Sequence, residues 1–562
     1  MPGLKHKGRE KITGFQWILL GLIAVQLFMI VFVNLTQLRA LTNYDSSISY
    51  LLTSKMWEQG TLTPSGFSHM VLYPLSNPAL PAYLLCYITK DVFLSFGIGN
   101  ILFVGLMLAS FLFLLRELDL NGTFRKFAVI MLLTPYTASY ATENALDYFS
   151  MTCISYCPYT SRLIFLFLIS ALYIRFMKGK KNITTWILAI VSVPFAFLMG
   201  CCSGISLLLL LGAPFVLHSL IRCLSRNHFR ELKEASSLYS FIVSAGLLAG
   251  ALAAPVLAGT SSRSDGIIWV GAEELLSNVH GIIGGYFSLT SALPYQSEVP
   301  VASKMGIAFG VLLCIALVLL FGFILQSRKL IKQRSFDHPL FPLLVLVFVN
   351  LFIFLFADVR LSSPLIETRY MIPVLVCFML FSCEYYRHFL STTQSVVKKI
   401  ALPVVLLAFV FSNTLSYYSL FHHRLDFSRY DRIENVIRTQ GTPLVYSYGE
   451  SVGATSRILR VLDPDHTYHQ IERDFSSIIT FCDSTEMQTA DEYSGAVCLL
   501  STREDFDMIP PSIAASYTHI ATVENVEIYY AQTNLLTREY LASDKSSEGE
   551  IHVVDDPVNV VA

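Results

Sequence analysis

Charge is what this sequence has least of. Only 14% of its 562 residues are Asp, Glu, Lys or Arg, against about 25% in a soluble domain. The charges are clustered, so long stretches carry none. A net charge of −1 at pH 7 leaves no basic surplus to meet phosphates, which excludes nucleic acid as a partner. The chain has no Ser/His/Asp arrangement, HExxH, GxGxxG, Walker loop or CxxC, so the familiar signatures of hydrolases, zinc proteases, dinucleotide enzymes and P-loop proteins are missing. Eleven cysteines show no metal-ligand spacing. Most, such as Cys86, Cys314 and Cys377, sit in apolar runs and act as small hydrophobes. Paired acids on one face of a span, expected of an ion-driven pump, are also missing.

What is present is apolar: 54% hydrophobic and 13% aromatic residues. A spanning helix needs about 20 mainly apolar residues. Charge-poor runs near 14–36, 93–115, 125–142, 159–176, 183–200, 204–221, 236–260, 305–326, 339–357, 367–384 and 401–421 predict about eleven crossings. The interval from Lys181 to Arg222 has no charge inside it and is long enough for a hairpin, with Gly200-Cys201-Cys202-Ser203-Gly204 as its turn. The basic start (Lys5, Lys7, Arg9, Lys11) precedes an apolar run too long for a cleaved signal. Lys and Arg outnumber those of the opposite loops roughly three to one when the N-terminus is placed in the cytoplasm, which sets the orientation. An odd number of crossings then puts the C-terminus outside a plasma membrane.

These readings give an all-α polytopic transmembrane domain over 1–422. Its outside loops are 37–92, 143–158, 261–304 and 358–366. A small extracytoplasmic α/β domain follows over 423–540, and 541–562 is expected to be a disordered tail. In the soluble part, 428–438 reads as a helix, while 444–446, 496–500 and 526–530 read as strands. Cys482 and Cys498 are its only cysteines, so a disulfide between them is an open option.

The first outside loop carries the clearest candidate. Thr42-Asn43-Tyr44-Asp45 opens a stretch, Ser46 to Glu58, with Ile48, Leu51, Leu52 and Met56 at helical spacing. It predicts an amphipathic helix along the membrane surface, stopped by Gly60. Asp45 has two readings. It can complete a capping box with Thr42, or it can act as general base on an acceptor hydroxyl. The proline-punctuated segment Tyr73 to Pro81 is expected not to form a regular helix.

Glu143 and Asp147 lie four apart in the second loop and can be two solvated acids, or ligands for a divalent cation with a third carboxylate. A metal is not favoured. Arg162 enters an apolar stretch and either snorkels or faces a polar cavity. Arg369, at the edge of a late span, suits a phosphate through its fork, or else pairs with Glu367 or Asp358. Arg360 lies just before it. His280 is a lone histidine, more often structural than catalytic.

The order Tyr44-Asp45 through Tyr50 and Gly60, the Tyr73 to Leu80 proline segment, the acidic loop with Glu143 and Asp147, and Arg369-Tyr370-x-x-Pro373 resembles the GT-C superfamily of integral-membrane glycosyltransferases. That resemblance implies an inverting transferase that takes a sugar from a polyprenyl-phosphate donor on the outer face. The acceptor would be a cell-surface polysaccharide or glycolipid of the bacterial envelope. It also implies Asp45 as base, Glu143 and Asp147 as acidic support, and Arg369, Arg162 and Arg360 as the lipid-phosphate clamp. Tyr44, Tyr370 and His280 would line the substrate cavity. Many members have two adjacent acids in the first loop, whereas Asp45 is followed by Ser46 and Ser47. The rival readings are a transporter or flippase for a lipid-linked saccharide and a surface-polysaccharide polymerase or ligase. The latter would rest on Arg263 and His280.

Overall fold

The computed structural model describes residues 13–65, 77–120, 122–137, 148–155, 157–226, 232–258, 269–293, 298–357, 368–392, 395–422, 427–471, 478–479 and 493–536. Its first part is a bundle of α1 (Gly14–Thr36), α2 (Tyr44–Gln59), α3 (Ala79–Thr89), α4 (Val92–Glu117), α5 (Gly122–Leu133), α6 (Thr160–Met177), α7 (Ile183–Leu207), α8 (Ala213–Arg226), α9 (Ala235–Ala258), α10 (Leu275–Leu289), α11 (Lys304–Lys332), α12 (Phe341–Phe356), α13 (Ile372–Thr392) and α14 (Ser395–His422). Capping follows the sequence. Thr13, Asp91 and Ser303 each accept a hydrogen bond from a first-turn N–H of α1, α4 and α11, filling donors that a helix leaves open.

Seven described helices are long and apolar enough to cross a membrane. Large apolar side chains such as Trp17, Phe28, Ile190, Leu252, Phe321 and Phe352 point outward, which suits a surface that meets lipid. Each predicted interval falls on a helix, though not always with the predicted ends. The third stops at Leu133, well short of 142. Helix α7 runs through Gly200 to Ser203 and breaks only at Gly204, where φ is +58°, so one glycine, not a five-residue turn, reverses the charge-free stretch. The proline segment also departs from expectation. Helix α3 starts at Ala79 with Pro81 in its first turn, where a missing N–H leaves no bond unmade. Residues 73–76 lie outside the described set.

Polar clusters fix one end of the bundle and its interior. At one end the buried carboxylate of Glu117 binds Arg175 at 2.7 Å and Lys180 at 2.9 Å. At this end too, Arg222 meets Asp337 at 3.0 Å and Glu234 at 3.2 Å, and Tyr173 joins the two groups by bonding His218 at 2.8 Å. The basic connections of α4, α6, α8 and α11 therefore gather on one face. Deeper in, Gln26 donates to the Ile130 carbonyl, Thr134 and Asn413, tying α1, α5 and α14. Buried amides in an apolar bundle hold one register because any slip leaves them unpaired.

The second part is a mixed sheet ordered β3-β2-β1-β4-β6-β5. Its strands are β1 (Leu444–Tyr448), β2 (Thr467–Ile471), β3 (Ile478–Ile479), β4 (Val497–Ser501), β5 (Thr518–Val523) and β6 (Val526–Ala531). Helix α15 (Phe427–Gln440) leads in, and α16 (Glu450–Leu462) crosses between the parallel strands β1 and β2. The central strand alternates, with Tyr446 and Tyr448 in one apolar cluster and Val445 in the other, as a strand covered on both faces must. Cys498 is a buried free thiol that accepts a hydrogen bond from Thr442. Cys482 lies outside the described residues, as do 541–562.

His469 on β2 is fully buried, and neither ring nitrogen has a hydrogen-bond partner. Burial, with Arg460 adding to it, pushes its pKa down to about 3. The folded domain thus holds a neutral imidazole while the unfolded chain protonates near pH 6.5. Stability contributed by this neutrality is complete above pH 6.5 and falls as pH drops towards 3, by up to about 1.4 kcal/mol per pH unit. Expected outcome: His469→Phe flattens the acid limb of the sheet's melting temperature between pH 6 and 4, read by hydrogen exchange on β1 and β2. An unchanged acid limb would remove His469 as its cause.

Candidate functional site

The site is built from the start of α2. Asn43 is the N-cap, and Ser46 three residues on completes a reciprocal capping box, at 2.8 Å and 2.9 Å. Thr42 instead donates to the Leu38 carbonyl at 3.2 Å. The capping box therefore joins Asn43 and Ser46 and not Thr42 and Asp45. Asp45 sits half-buried at the second helical position, where the helix dipole favours an anion.

Helix α2 is also not amphipathic in the expected sense. Its buried side includes Ser46, Ser47, Ser49 and Thr53 as well as Ile48, Tyr50, Leu52 and Met56. Rather than presenting one apolar face, it is clasped by protein. Tyr50 is fully buried with its ring edge-on to Phe93 at 5.1 Å and Phe96 at 4.9 Å, both on α4. Its hydroxyl faces Ser155 and Ser46, and burial pushes its pKa up. From the other side comes α16 of the sheet domain. The Arg457 guanidinium stands 3.7 Å over the Tyr44 ring, and both Arg457 and Arg460 are buried. Val461 of the same helix packs with Leu38, Tyr50, Ala79 and Phe96. Tyr44, expected in the substrate cavity, thus has a ring covered by arginine.

The second loop is locked to the same place. Asn34 of α1 donates to the Cys153 carbonyl at 2.9 Å, and Asn100 of α4 donates to Asn34 at 2.8 Å and to the Ser155 carbonyl at 2.6 Å. This needs α1 and α4 to touch closely. They do so at Gly97, where an added Cβ would lie 1.9 Å from the Asn34 carbonyl oxygen. A short helix, Tyr148–Thr152, precedes this turn and packs on the 3-10 turn Thr368–Met371. Arg369 in that turn is only 7% exposed, with its guanidinium 5.8 Å from the Tyr370 ring centre. A contiguous packed path therefore runs from Asp45 through Ser46 and Tyr50 to Ser155, then through 148–152 to Arg369.

The remaining candidates divide. Arg162 stacks on Tyr159 at 4.6 Å and approaches Ser203 at 3.5 Å. His280 lies on the exposed side of α10, whereas Asn278, Gly281 and Gly285 face inward. Glu143, Asp147 and Arg360 lie outside the described residues. Among the described residues no three His, Cys, Asp or Glu side chains cluster as a metal site would need.

No family model and no curated protein matches the sequence. Solved structures do. ArnT from Cupriavidus metallidurans in the apo state aligns with a TM-score of 0.54 at 10% identity, covering 93% of this chain and 98% of that one. The same protein bound to undecaprenyl phosphate aligns with a TM-score of 0.53 at 10% identity, covering 92% and 98%. The chain has the GT-C fold. The match extends over the helical bundle and the small sheet alike, so the GT-C resemblance drawn from a few short motifs holds at the level of architecture. What that reading missed is Arg457. Its helix carries Arg457 and Arg460 beside the buried Val452, Ile458 and Leu459. Nothing local says that this helix meets the start of α2.

Proposed function

We propose that the chain is an inverting glycosyltransferase that uses a polyprenyl-phosphate sugar on the extracytoplasmic face of a plasma membrane. The observation that carries this reading is the packed path linking Asp45, the 148–155 turn and Arg369 in a GT-C bundle. The ArnT neighbour binds undecaprenyl phosphate, which favours a lipid-linked donor. The basic face formed around Glu117, Arg175, Arg222 and Asp337 is the cytoplasmic one, in keeping with the charge bias. The N-terminus is then cytoplasmic, and the sheet domain over 423–540 lies outside.

Asp45 takes the proton of an acceptor hydroxyl as that oxygen attacks the anomeric carbon. The bond from that carbon to the phosphate oxygen breaks, and the polyprenyl phosphate departs with its electrons and its growing charge. Arg369, with Arg162 and Arg360 as further cations, meets that charge. The transferred unit is a hexose or pentose, and the acceptor a surface polysaccharide or glycolipid. No step requires a metal.

Arg457 is a positioning residue in this reading. Stacked on Tyr44, it fixes the helix end that presents Asp45. A desolvated cation–π contact contributes about 2 kcal/mol, so Arg457→Ala is expected to lower transfer by roughly 30-fold. Arg457→Lys should recover part of this, and the pH profile set by Asp45 should change. An unaltered pH profile with only a lowered melting temperature would make Arg457 purely structural. The function itself is tested by glycan composition in a deletion strain carrying wild type or Asp45→Asn. Loss of one sugar with the polymer backbone retained is expected. Shortened chains would point to a polymerase.

A further inference from the structure

At the end of the bundle opposite Asp45, helices α11 and α12 both pack on α13 and leave a groove between them. Its volume is about 520 Å³. Phe323, Ile324 and Ile331 of α11 and Phe348 of α12 form its apolar walls. Ile324, Ile331 and Phe348 are exposed at 45%, 51% and 49%, so the groove opens sideways onto the surface that meets lipid. Arg328 and Lys332, one turn apart on α11, stand at its polar end. Neither makes an ion pair with any described residue. Ser327 lines the same groove. It is 4% exposed, and its hydroxyl is buried without a hydrogen-bond partner.

We infer that this groove binds an anionic glycerophospholipid. One acyl chain lies along Phe323 to Ile331, and the phosphate sits between Arg328 and Lys332 with Ser327 beneath it. The dimensions suit this. From residue 323 to 332 the helix rises roughly 13 Å, close to the depth of one leaflet's hydrocarbon. The charge arrangement selects the headgroup, because two cations without an acid favour net negative charge over a zwitterion. A buried hydroxyl with no protein partner is costly, and a phosphate oxygen satisfies it. The site lies at the Arg222–Asp337 end of the bundle, so it is separate from the proposed donor site. It does not depend on the transfer reaction or on which face is cytoplasmic.

The test uses the full chain with Phe348→Trp as reporter, in symmetric nanodiscs containing brominated phosphatidylglycerol or brominated phosphatidylcholine. Its quenching is taken as the difference from the same chain without that substitution, because Trp17 and Trp186 also face lipid. Each basic residue near a membrane surface favours an anionic lipid by about fivefold. Phosphatidylglycerol is therefore expected to quench the reporter at several-fold to roughly 20-fold lower mole fraction. Arg328→Gln with Lys332→Gln should bring the two lipids level. Lys329→Gln with Arg334→Gln removes as much charge from neighbouring positions and should leave the preference in place. Equal quenching by both lipids in the parent protein would overturn the inference. So would an equal loss of preference in both double variants, since that marks general surface potential instead of a site.

Discussion

Replacing Asp45 by Asn is expected to lower sugar transfer by about 10²- to 10⁴-fold, the range a general base contributes, while the protein still inserts and folds. The second half of that expectation comes from the cap. Asn43 and Ser46 close the start of α2 between themselves, so the capping box survives the substitution. Loss of the carboxylate's favourable placement near the dipole costs about 0.3–1 kcal/mol. Asn43→Ala makes the informative contrast. It removes the cap at a cost of about 1 kcal/mol and should lower the melting temperature more than it lowers the intrinsic rate. Full transfer by Asp45→Asn would refute the base assignment. Transfer of that variant falling only in step with its melting temperature would reduce Asp45 to a structural acid.

Arg369→Ala is expected to cost about 10²- to 10³-fold, the loss seen when one stabiliser of developing charge is removed. Because Arg369 is 7% exposed, its removal also weakens packing around the Thr368–Met371 turn, and activity alone would not separate the two effects. Undecaprenyl phosphate as a product inhibitor does. In the parent it should inhibit, and in Arg369→Ala that inhibition should weaken by a similar factor. Arg369→Lys keeps the charge but not the planar fork, and should fall between them. Unchanged inhibition in Arg369→Ala would mean that this arginine does not meet the lipid phosphate.

The membrane class was legible because apolar runs of about 20 residues need only counting. Helix ends were less so. Gly204 alone reverses a stretch whose two small residues and two cysteines looked like a longer turn, and Pro81 sits at the one place in a helix where proline is harmless. Of the strands, β1, β4 and β6 were legible as short apolar runs, being central and buried. β2 and β5 carry polar residues such as His469, Gln470 and Thr518 and gave no comparable signal. For the site, Tyr44-Asp45 was visible as a loop motif, but its capping partner was misjudged by one residue. Arg457 was invisible because its role depends on a contact across more than 400 positions in sequence. Such contacts come from tertiary packing, and no local pattern encodes them.

The proposed action of Asp45 on a lipid-linked sugar already outside the cell is testable in intact cells. The most direct measurement is of polyprenyl-phosphate sugars in intact cells whose only copy is Asp45→Asn, before and after membrane-impermeant periodate. One polyprenyl monophosphate sugar should accumulate above its level in wild-type cells and be oxidised by the external reagent. No accumulation, or accumulation protected from periodate, would contradict the account, and the protected pool would indicate a flippase.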